Sequence, residues 1–391
     1  MPLDLTRARA ETPGCEHVAH LNNAGAALAP APVLDAVVEH LRREATIGGY
    51  EAAAERRDRS ERTYDAIATL IGCGRDEVAV VENATRAWDM AFYSLRLREG
   101  DRVLTTRAEY ASNYIALRQV ADRTGAALVV VPDDEHGQVD VDRLAAMLDE
   151  RVKLVSLVHV PTQGGLVNPA GAVGALTRAA GVPLLLDACQ SVGQMPIDVV
   201  AIGCDMLSAT GRKFLRGPRG TGFLYVRRDL VERLEPPQLD LHAAEWQPDG
   251  AYRIRPDARR FENWETNVAT KIGLGVAVDY ALGWGLEAIR DRVYALAGEL
   301  RERLDSIPGA RTHDLGEERC AIVTFSVAGR PAGEVVSALV ADGVNVSLSP
   351  GSYSRLDFER RGLDELVRAS VHYYNDGAEL DRLVELVTAL A

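Results

Sequence analysis

Short apolar runs alternate in this chain with segments that repeat apolar residues at helical spacing, and this alternation restricts the fold more than any other feature. The apolar runs are rich in valine and leucine and read EVAVVEN, DRVLTT, AALVVVPDD, VKLVSLVHV, VPLLLDA and CDMLSAT. Between them lie the helical patterns WDMAFYSLRLREG, NYIALRQVADRTG, DVDRLAAMLDE and NPAGAVGALTRAAG. Strands that alternate with helices predict an α/β fold, with a mostly parallel sheet that helices cover.

The pattern changes after about residue 265. The segment VATKIGLGVAVDYALGWGLEAIRDRVYALAGELRERL predicts one or two long helices. A small α+β unit follows, with the runs CAIVTFSVAG, EVVSALVADG, LVRASVHYYN and GAELDRLVELVTALA. We therefore predict a large domain over residues 20–265 and a small α+β C-terminal domain over residues 266–391, to which residues 1–19 also belong.

The composition limits the classes of partner. At 391 residues and 47% apolar content, the chain can bury a large core. Its formal charge of -13 argues against a nucleic-acid partner, because binding to a phosphate backbone requires a broad basic face. The five cysteines are scattered without a CxxC pair, so we expect neither a disulfide scaffold nor a bound metal.

The N-terminal sequence and the lengths of the apolar runs bear on location. The sequence MPLDLTRARAETPGCEH is charged and has no apolar core, unlike a signal peptide. No apolar run approaches the roughly 20 residues that span a bilayer. We therefore expect a cytoplasmic protein without a membrane partner, and the scattered cysteines fit a reducing compartment.

Polar residues follow several of the predicted strands, and the carboxyl ends of strands are where open α/β sheets bind ligands. Asn83, Ala84 and Thr85 follow one strand and begin a helix, whose free N–H groups suit an anion. His159 and Thr162 follow another strand. An ordinary helix cap and a polar turn are the alternative interpretations of these two places.

Two other strand ends carry charged residues. Asp187 closes an apolar strand, where an ionised carboxylate needs a positive partner or several hydrogen-bond donors. Lys213 follows the next strand, in SATGRKFLRGPRGTGFLYV, among Arg212, Arg216 and Arg219. A basic surface loop is the competing interpretation of this cluster.

An aspartate and a lysine at neighbouring strand ends indicate a cofactor with a pyridinium nitrogen and an aldehyde, namely pyridoxal 5'-phosphate. Lys213 would form the Schiff base, and Asp187 would keep the ring nitrogen protonated. Thr210, Arg212 and the helix start at Ala84–Thr85 would supply the donors for the phosphate. The arginines of the cluster are thus expected to hold phosphate and the carboxylate of the substrate.

Eight motifs follow one another from about Leu21 onward: NNAG, ENATRAWD, EYASN, HVPTQGG, DACQSVG, TGRKFLRGPRGTGFLYV, FENWETN and VRASVHYYN. In this order they resemble the class V aminotransferase family. That family includes cysteine desulfurases, isopenicillin N epimerase-like proteins and carbon–sulfur lyases. The resemblance implies fold type I of the pyridoxal phosphate enzymes, an amino-acid substrate, and a homodimer with shared active sites.

The resemblance also implies roles for individual residues. Lys213 matches the Schiff-base lysine and Asp187 the partner of the ring nitrogen. Gln190 and Thr162 match contacts to the phenolic oxygen, and Tyr110 matches the residue that stacks on the ring. The other implied contacts are Ala84, Thr85, Thr210 and Arg212 to the phosphate, Thr266 to the phosphate bound in the neighbouring subunit, and Asn23 and Arg368 to the substrate.

Arg368 has support from the sequence pattern as well as from the resemblance. In LVRASVHYYN it alternates with apolar residues, which predicts that it faces away from the core. A solvated surface arginine is the alternative. For the substrate side chain, the resemblance implies contacts from Asn22, Asn23, Tyr50, His242, Trp246 and residues 347–356.

One departure from the family affects the predicted reaction. Cysteine desulfurases carry a loop cysteine shortly before the carboxylate-binding arginine, whereas the segment NVSLSPGSYSRLDFERRGLDELVRAS has none. We expect no persulfide relay, and we predict that Cys189 points into the helix–sheet core. We therefore favour β-elimination at a carbon–sulfur bond of a cysteine-derived amino acid, begun when Lys213 removes the α proton. An aminotransferase and an epimerase need the same contacts and stay open.

Two alternatives belong to other classes of protein. A non-catalytic binding protein could have this fold, although Lys213, Asp187 and Arg368 in one cleft favour catalysis. A nicotinamide-dependent dehydrogenase would need a G-x-G-x-x-G turn after the first strand. The sequence ENATRAWD at that place has none.

Overall fold

The computed structural model describes residues 3–391, in which helices and strands alternate along the chain. The α-helices are α1 (Leu5–Ala10), α2 (Ala31–Ile47), α3 (Gly49–Glu55), α4 (Arg57–Ile71), α5 (Ala84–Phe92), α6 (Ala111–Thr124), α7 (Val141–Met147), α8 (Ala170–Ala180), α9 (Val199–Ile202), α10 (Arg228–Val231), α11 (Val268–Trp284), α12 (Leu286–Asp305), α13 (Ala332–Ala341), α14 (Arg355–Arg361) and α15 (Gly377–Leu390). Short 3-10 helices cover Pro13–Glu16, Arg75–Glu77, Ala258–Phe261 and Gly351–Tyr353.

The strands form two main sheets and two short pairs. They are β1 (Ala19–His20), β2 (Val78–Val81), β3 (Arg102–Thr106), β4 (Ala127–Val131), β5 (Val152–Val158), β6 (Leu184–Asp187), β7 (Met206–Thr210), β8 (Gly222–Val226), β9 (Ala244–Trp246), β10 (Tyr252–Ile254), β11 (Ala310–Thr312), β12 (Ile322–Val327), β13 (Val344–Asn345), β14 (Ser347–Pro350) and β15 (Glu365–Ser370). The larger sheet has the order β2-β8-β7-β6-β5-β3-β4, and the smaller has the order β11-β12-β15-β14.

The larger sheet is mostly parallel, as the sequence predicts. All six apolar runs form its strands β2 to β7, and these six run in the same direction. The exception is β8, which was not among the predicted strands and lies antiparallel between β2 and β7. A mostly parallel seven-stranded sheet is what the fold implied by the motifs requires.

Helices cover both faces of this sheet, which explains why its strands are apolar without alternation. Leu184 and Leu186 of β6 pack in one core cluster, whereas Leu185 between them packs in a second cluster on the opposite face. Neighbouring residues of a strand point to opposite faces, so each must be apolar when both faces are covered. The same arrangement places the polar residue Asp187 at the end of the strand, where the covered region stops.

The smaller sheet is antiparallel throughout, and helices α12, α13 and α15 pack near it. The predicted long helical segment forms two helices, α11 and α12, which bend by 79° at Gly285. Helix α11 packs against α2 and α4, and β1 pairs with β13. The domain boundary at residue 265 stays a prediction. No single helix within residues 3–391 is long and apolar enough to span a membrane, and α11 with α12 passes that test only as a bent pair.

Candidate active site

A cavity lies at the carboxyl ends of β2, β5, β6 and β7, and the turns that follow these strands form its walls. Its lining residues are Asn83, Ala84, Thr85, Tyr110, Asn113, Val158, Val160, Thr162, Asp187, Cys189, Gln190, Thr210, Arg212 and Lys213. Nine residues that the sequence analysis assigns to the cofactor or to catalysis therefore come together here. Their individual roles stay predictions.

Asp187 is held by hydrogen bonds on both carboxylate oxygens. Oδ1 accepts the backbone N–H of Cys189 at 3.0 Å, and Oδ2 accepts the side-chain amide of Asn113 at 2.9 Å. The residue is 6% exposed. Two donors in fixed positions compensate the burial of the carboxylate and set its plane.

Lys213 lies in the turn after β7, where three cations meet. Burial lowers the pKa of its amine, and the charges of Arg212 and Arg368 act in the same direction. Asp187 opposes this effect. An amine with a lowered pKa is more often unprotonated near neutral pH, which suits a base or a nucleophile.

The shape of the lysine turn depends on Arg216. Its backbone N–H bonds to the carbonyl of Lys213 at 2.9 Å, and its φ is 60°, a left-handed conformation that non-glycine residues rarely adopt. The guanidinium is buried and donates to the carbonyl of Leu28 at 2.8 Å, to Tyr373 Oη at 2.7 Å and to Thr12 Oγ1 at 2.6 Å. It also lies 4.4 Å from the centre of the Tyr374 ring.

Arg216 and Arg219 therefore do not take the place that the sequence analysis gives to the arginine cluster. Arg216 is turned into the protein interior, and Arg219 is exposed and outside the cavity lining. Of the three arginines, Arg212 alone lines the cavity. The cluster therefore contains one cavity residue, Arg212, one residue buried in the interior, Arg216, and one exposed residue, Arg219.

Arg368 extends from β15 to the edge of the cavity. Its Nη1 donates to the carbonyl and the hydroxyl of Thr162, at 2.9 and 3.0 Å, and Nη2 donates to Asn22 Oδ1 at 3.3 Å. Its Nε has no partner, and no carboxylate within residues 3–391 forms an ion pair with this guanidinium. Burial lowers its pKa to about 10. A buried cation with an unused donor fits an anionic ligand.

The structure does not bring Asn23 to this cavity. Its side-chain amide donates to the carbonyl of Ser370 at 2.7 Å, and its Oδ1 accepts the hydroxyl of Tyr374. The residue is fully buried between the N-terminal segment and β15. The neighbouring Asn22 contacts Arg368 instead. Successive residues point in opposite directions here, so the choice between the two asparagines depends on the local backbone.

Thr162 and Gln190 form a connected pair in the cavity wall. Thr162 Oγ1 accepts from Gln190 Nε2 at 2.8 Å and from Arg368 Nη1 at 3.0 Å. Its hydroxyl hydrogen is therefore free to donate to a ligand oxygen. Gln190 Oε1 is buried and has no partner. Both observations fit a polar ligand in this part of the cavity.

The prediction that Cys189 points into the core is wrong. Its side chain lines the cavity beside Lys213, and its thiol lies close enough to Asp187 to interact with it. Burial raises the pKa of this thiol well above its usual range. The error arises because Cys189 follows the strand end, where the two-residue period of the strand no longer fixes side-chain direction.

Residues 347–354 are fixed against the large sheet. Ser349 Oγ donates to Gln163 Oε1 at 2.5 Å, and Gln163 Nε2 donates to the carbonyl of Pro350 at 3.1 Å. Ser354 Oγ donates to the carbonyl of Glu109 at 3.4 Å. This segment contains no cysteine. None of its residues lines the Lys213 cavity.

Several predicted substrate or cofactor contacts lie elsewhere. Thr266, Tyr50 and His242 line a second, larger cavity, and Trp246 lies 84% exposed on the β9–β10 hairpin. None of them lines the Lys213 cavity. The predicted action of Thr266 on a neighbouring subunit stays a prediction. No group of histidine, cysteine and acidic residues within residues 3–391 is arranged to hold a metal ion.

Sequence reasoning missed Asn113, which lines the cavity and bonds Asp187. The motif EYASN contains it, four residues after Glu109 and in the first turn of α6. Glu109 itself precedes the helix, and Asn113 Nδ2 donates back to its Oε1 at 2.9 Å. Asn113 could not be assigned from the sequence, because its role depends on the packing of α6 beside the end of β6, which is a tertiary contact.

The chain is similar in sequence to known proteins of one family. The family model Aminotransferase class-V matches residues 19–383. The chain is 31% identical to a probable cysteine desulfurase of Synechocystis sp., over 95% of this chain and 90% of the relative. It is 32% identical to probable cysteine desulfurase 2 of Mycobacterium leprae, over 98% of this chain and 96% of the relative.

Two solved structures have the same fold at lower identity. The apo structure of a cysteine desulfurase from Thermococcus onnurineus NA1 matches with a TM-score of 0.92 at 24% identity, over 100% of this chain and 98% of that one. The cystine C-S lyase C-DES, in complex with its reaction product cysteine persulfide, matches with a TM-score of 0.86 at 21% identity, over 96% of this chain and 99% of that one. With the family match over nearly the whole length, the chain belongs to the class V aminotransferase family of pyridoxal phosphate enzymes.

Proposed function

We propose that this protein is a pyridoxal phosphate enzyme that cleaves a carbon–sulfur bond in a cysteine-derived amino acid. The observation that carries the proposal is Arg368, a buried guanidinium with an unused donor and no carboxylate partner, at the edge of the cavity that holds Lys213 and Asp187. Such a cation suits the α-carboxylate of an amino acid. The names of the relatives, cysteine desulfurase and C-S lyase, support sulfur chemistry.

The residues of the cavity fit the cofactor. Asp187 would bind the ring nitrogen, because both of its oxygens are already oriented by neutral donors. The hydroxyl of Thr162 would donate to the phenolic oxygen, and Gln190 would hold that hydroxyl in place. Tyr110 would cover a face of the ring. The phosphate would meet Thr210 and Arg212 and the free N–H groups at the start of α5, at Ala84 and Thr85.

The chemistry divides between the cofactor and the chain. When bound, pyridoxal phosphate would supply an electron sink that weakens the bonds at the α carbon of an amino acid. Arg368 would bind the substrate carboxylate, and Lys213 Nζ would take up the α proton, which its lowered pKa favours. The buried wall around Asp187 and Gln190 would keep water from these groups.

We propose that sulfur leaves without forming a persulfide on a cysteine of the 347–354 segment, because that segment contains no cysteine. Cys189 is a second candidate for a sulfur acceptor, since it lines the cavity. Its raised pKa keeps the thiol protonated, which makes it a weak nucleophile. Release of sulfur to solution is therefore the favoured outcome over transfer to Cys189.

We also propose that two copies associate around the second cavity. This cavity is lined by Thr266, Tyr50 and Trp264, and the last two are large, exposed aromatic residues. Exposed aromatic residues around a cavity are typical of an interaction surface. In such a dimer Thr266 would reach the phosphate of the other subunit, as the family resemblance implies.

Product analysis tests the proposal. The purified protein, loaded with pyridoxal phosphate, is given cysteine, cystine and cysteine conjugates without a keto-acid acceptor. We expect repeated turnover with release of pyruvate, and a rate about 10³-fold lower in Lys213→Ala. A Lys213→Ala variant that turns over at the wild-type rate would overturn the enzymatic role of this lysine.

The same products separate the alternatives. Alanine together with transferable sulfur, lost in Cys189→Ala, would identify a desulfurase that acts through Cys189. A single stoichiometric conversion of the cofactor, without turnover, would identify an aminotransferase. Racemised substrate without new product would identify an epimerase. For the favoured reaction, the Cys189→Ala variant is expected to keep pyruvate as its product.

A further inference from the structure

Glu109 is a buried carboxyl that lies behind the cavity and has no part in the function proposed above. It follows β3 and is 3% exposed. Oε2 accepts from Thr105 Oγ1 at 2.7 Å and from Ser156 Oγ at 3.0 Å. Oε1 accepts from the backbone N–H of Tyr110 at 2.8 Å and from Asn113 Nδ2 at 2.9 Å. Four donors and no cation therefore surround it.

Asn113 connects this carboxyl to the cavity. Its amide nitrogen donates to Glu109 Oε1 and to Asp187 Oδ2, each at 2.9 Å. An amide NH₂ group has two hydrogens, so both are used by the two carboxyls. Asn113 is 3% exposed. Asp187, Asn113 and Glu109 form one continuous chain from the cavity wall to the interior of the sheet.

Such a chain can fix both the orientation and the charge of its first member. Asp187 Oδ1 is held by the backbone of Cys189, so Asn113 decides the position of Oδ2. If Glu109 is ionised, its negative charge strengthens the hold of Asp187 on a neighbouring proton, because the groups lie in a medium of low dielectric. If Glu109 is neutral, this contribution disappears.

We propose that Glu109 and Asn113 are positioning residues for Asp187: Asn113 orients the carboxylate toward the ring nitrogen of the cofactor, and Glu109 sets how firmly that nitrogen keeps its proton. The proposal rests on the proposed function, because it assigns Asp187 to the cofactor ring. Neither residue needs to touch the cofactor ring for this role. A chain of this kind matches the outer contacts that tune charged ligands in other sites.

The charge of Glu109 changes near neutral pH. Burial raises its pKa to about 7, the charge of Asp187 acts in the same direction, and the hydrogen bonds from Thr105 and Asn113 oppose it. The side chains that contact Glu109 from β3, β5 and α6 are neutral, and Asp187 at the end of β6 is the titratable group that acts on it. Above this pKa the carboxylate is charged, and below it the effect on Asp187 is lost.

Carbon-13 resonances of the aspartate carboxyls, measured in cofactor-free protein across the neutral pH range, test the coupling directly. The Asp187 signal, identified by its loss in Asp187→Asn, is expected to show an inflection near the pKa of Glu109. Glu109→Gln should remove this inflection. Thr105→Val should move it to higher pH, because a donor to the charged form is lost. An Asp187 signal whose pH dependence is the same in wild type and in Glu109→Gln would overturn the coupling.

The control variant is Asp205→Asn. Asp205 is also buried, but it lies before β7 at the opposite end of the sheet, where it bonds the backbone of Leu184. The Asp205→Asn substitution should leave the pH dependence of the Asp187 signal unchanged. If Asp205→Asn removes the inflection as Glu109→Gln does, the effect comes from general destabilisation and the proposal fails. If Glu109→Gln does not fold, Thr105→Val decides alone: an unmoved inflection overturns the coupling.

Binding of pyridoxal phosphate separates this inference from the proposed function. The affinity, measured by equilibrium dialysis, is expected to fall about threefold to tenfold in Glu109→Gln, the effect of one weakened hydrogen bond. Wild-type protein that does not bind pyridoxal phosphate would overturn the proposed function, and this inference with it. Wild-type protein that binds, with Glu109→Gln binding equally well, would overturn this inference alone.

Discussion

Arg216 and Arg368 are both buried near the lysine turn, and neither has a carboxylate partner among residues 3–391, but their surroundings differ. Every nitrogen of the Arg216 guanidinium donates to a carbonyl or hydroxyl of the protein. Arg368 retains an unpartnered Nε. A satisfied buried cation is a structural element, whereas an unsatisfied one beside a cavity indicates a ligand.

Substitution should separate these two arginines. Arg368→Met is expected to raise the KM for the amino acid about 10- to 100-fold, because charge-assisted bonds to the carboxylate are lost, while cofactor binding persists. Arg216→Met, its matched control, should lower the thermal midpoint and weaken cofactor binding through the lysine turn. Steady-state kinetics and thermal unfolding measure the two effects. An unchanged KM in Arg368→Met would place the carboxylate elsewhere.

At the residue scale, the charged residues of the site could be predicted from the sequence. The polar residues that hydrogen-bond to them, and the directions of neighbouring side chains, could not. Asp187 and Lys213 could be found because a charge at the end of an apolar strand needs a reason. The directions of Asn23 and Cys189 could not, since both lie in turns where neither the strand nor the helix period applies. Asn113 was missed because its partner, Asp187, is 74 residues away in sequence.

At the scale of elements, apolar runs identified the six strands β2 to β7, whereas β8 was missed. Its sequence GFLYV is as apolar as theirs, but it stands within the lysine motif and directly after a glycine-rich turn. The antiparallel direction of β8 and the order of the strands follow from tertiary packing, which local patterns do not record. The bend between α11 and α12 occurs at Gly285, whose φ is 84°.

Helix α8 offers a test of packing between elements. A Cβ atom at Gly174 would overlap the carbonyl oxygen of Ile202 in α9, whereas a Cβ at Gly171 of the same helix meets no atom within 4 Å. We expect Gly174→Ala to lower the free energy of unfolding by about 3 kcal/mol. Gly171→Ala should leave it unchanged or raise it by up to about 1 kcal/mol. Chemical denaturation measures both, and equal effects would contradict the close contact of α8 and α9.

At the scale of the whole molecule, we predict that the proposed dimer contact extends from the second cavity to the β9–β10 hairpin, which begins two residues after His242 of that cavity. Trp246 pairs with Tyr252 across the β9–β10 hairpin, and both are exposed. We expect wild type to sediment as a dimer and Trp246→Glu to shift toward monomer with weaker retention of the cofactor, because a charge is placed in an apolar contact. Val200→Glu, at an exposed apolar position on α9, is the control. A dimer that persists in Trp246→Glu would exclude the hairpin from the contact.

The contacts that shape the lysine turn have a consequence for the order of folding. Arg216 bonds Thr12, which is 204 residues away, and the backbone of Ala24 bonds Ser370 across 346 residues. The entropy lost in closing such loops grows slowly with their length, but contacts between distant residues form slowly. The central sheet can therefore assemble before the turn around Lys213 reaches its final shape. We therefore expect the protein to bind the cofactor only after the last step of folding. Molecules with bound cofactor are then those that have folded completely.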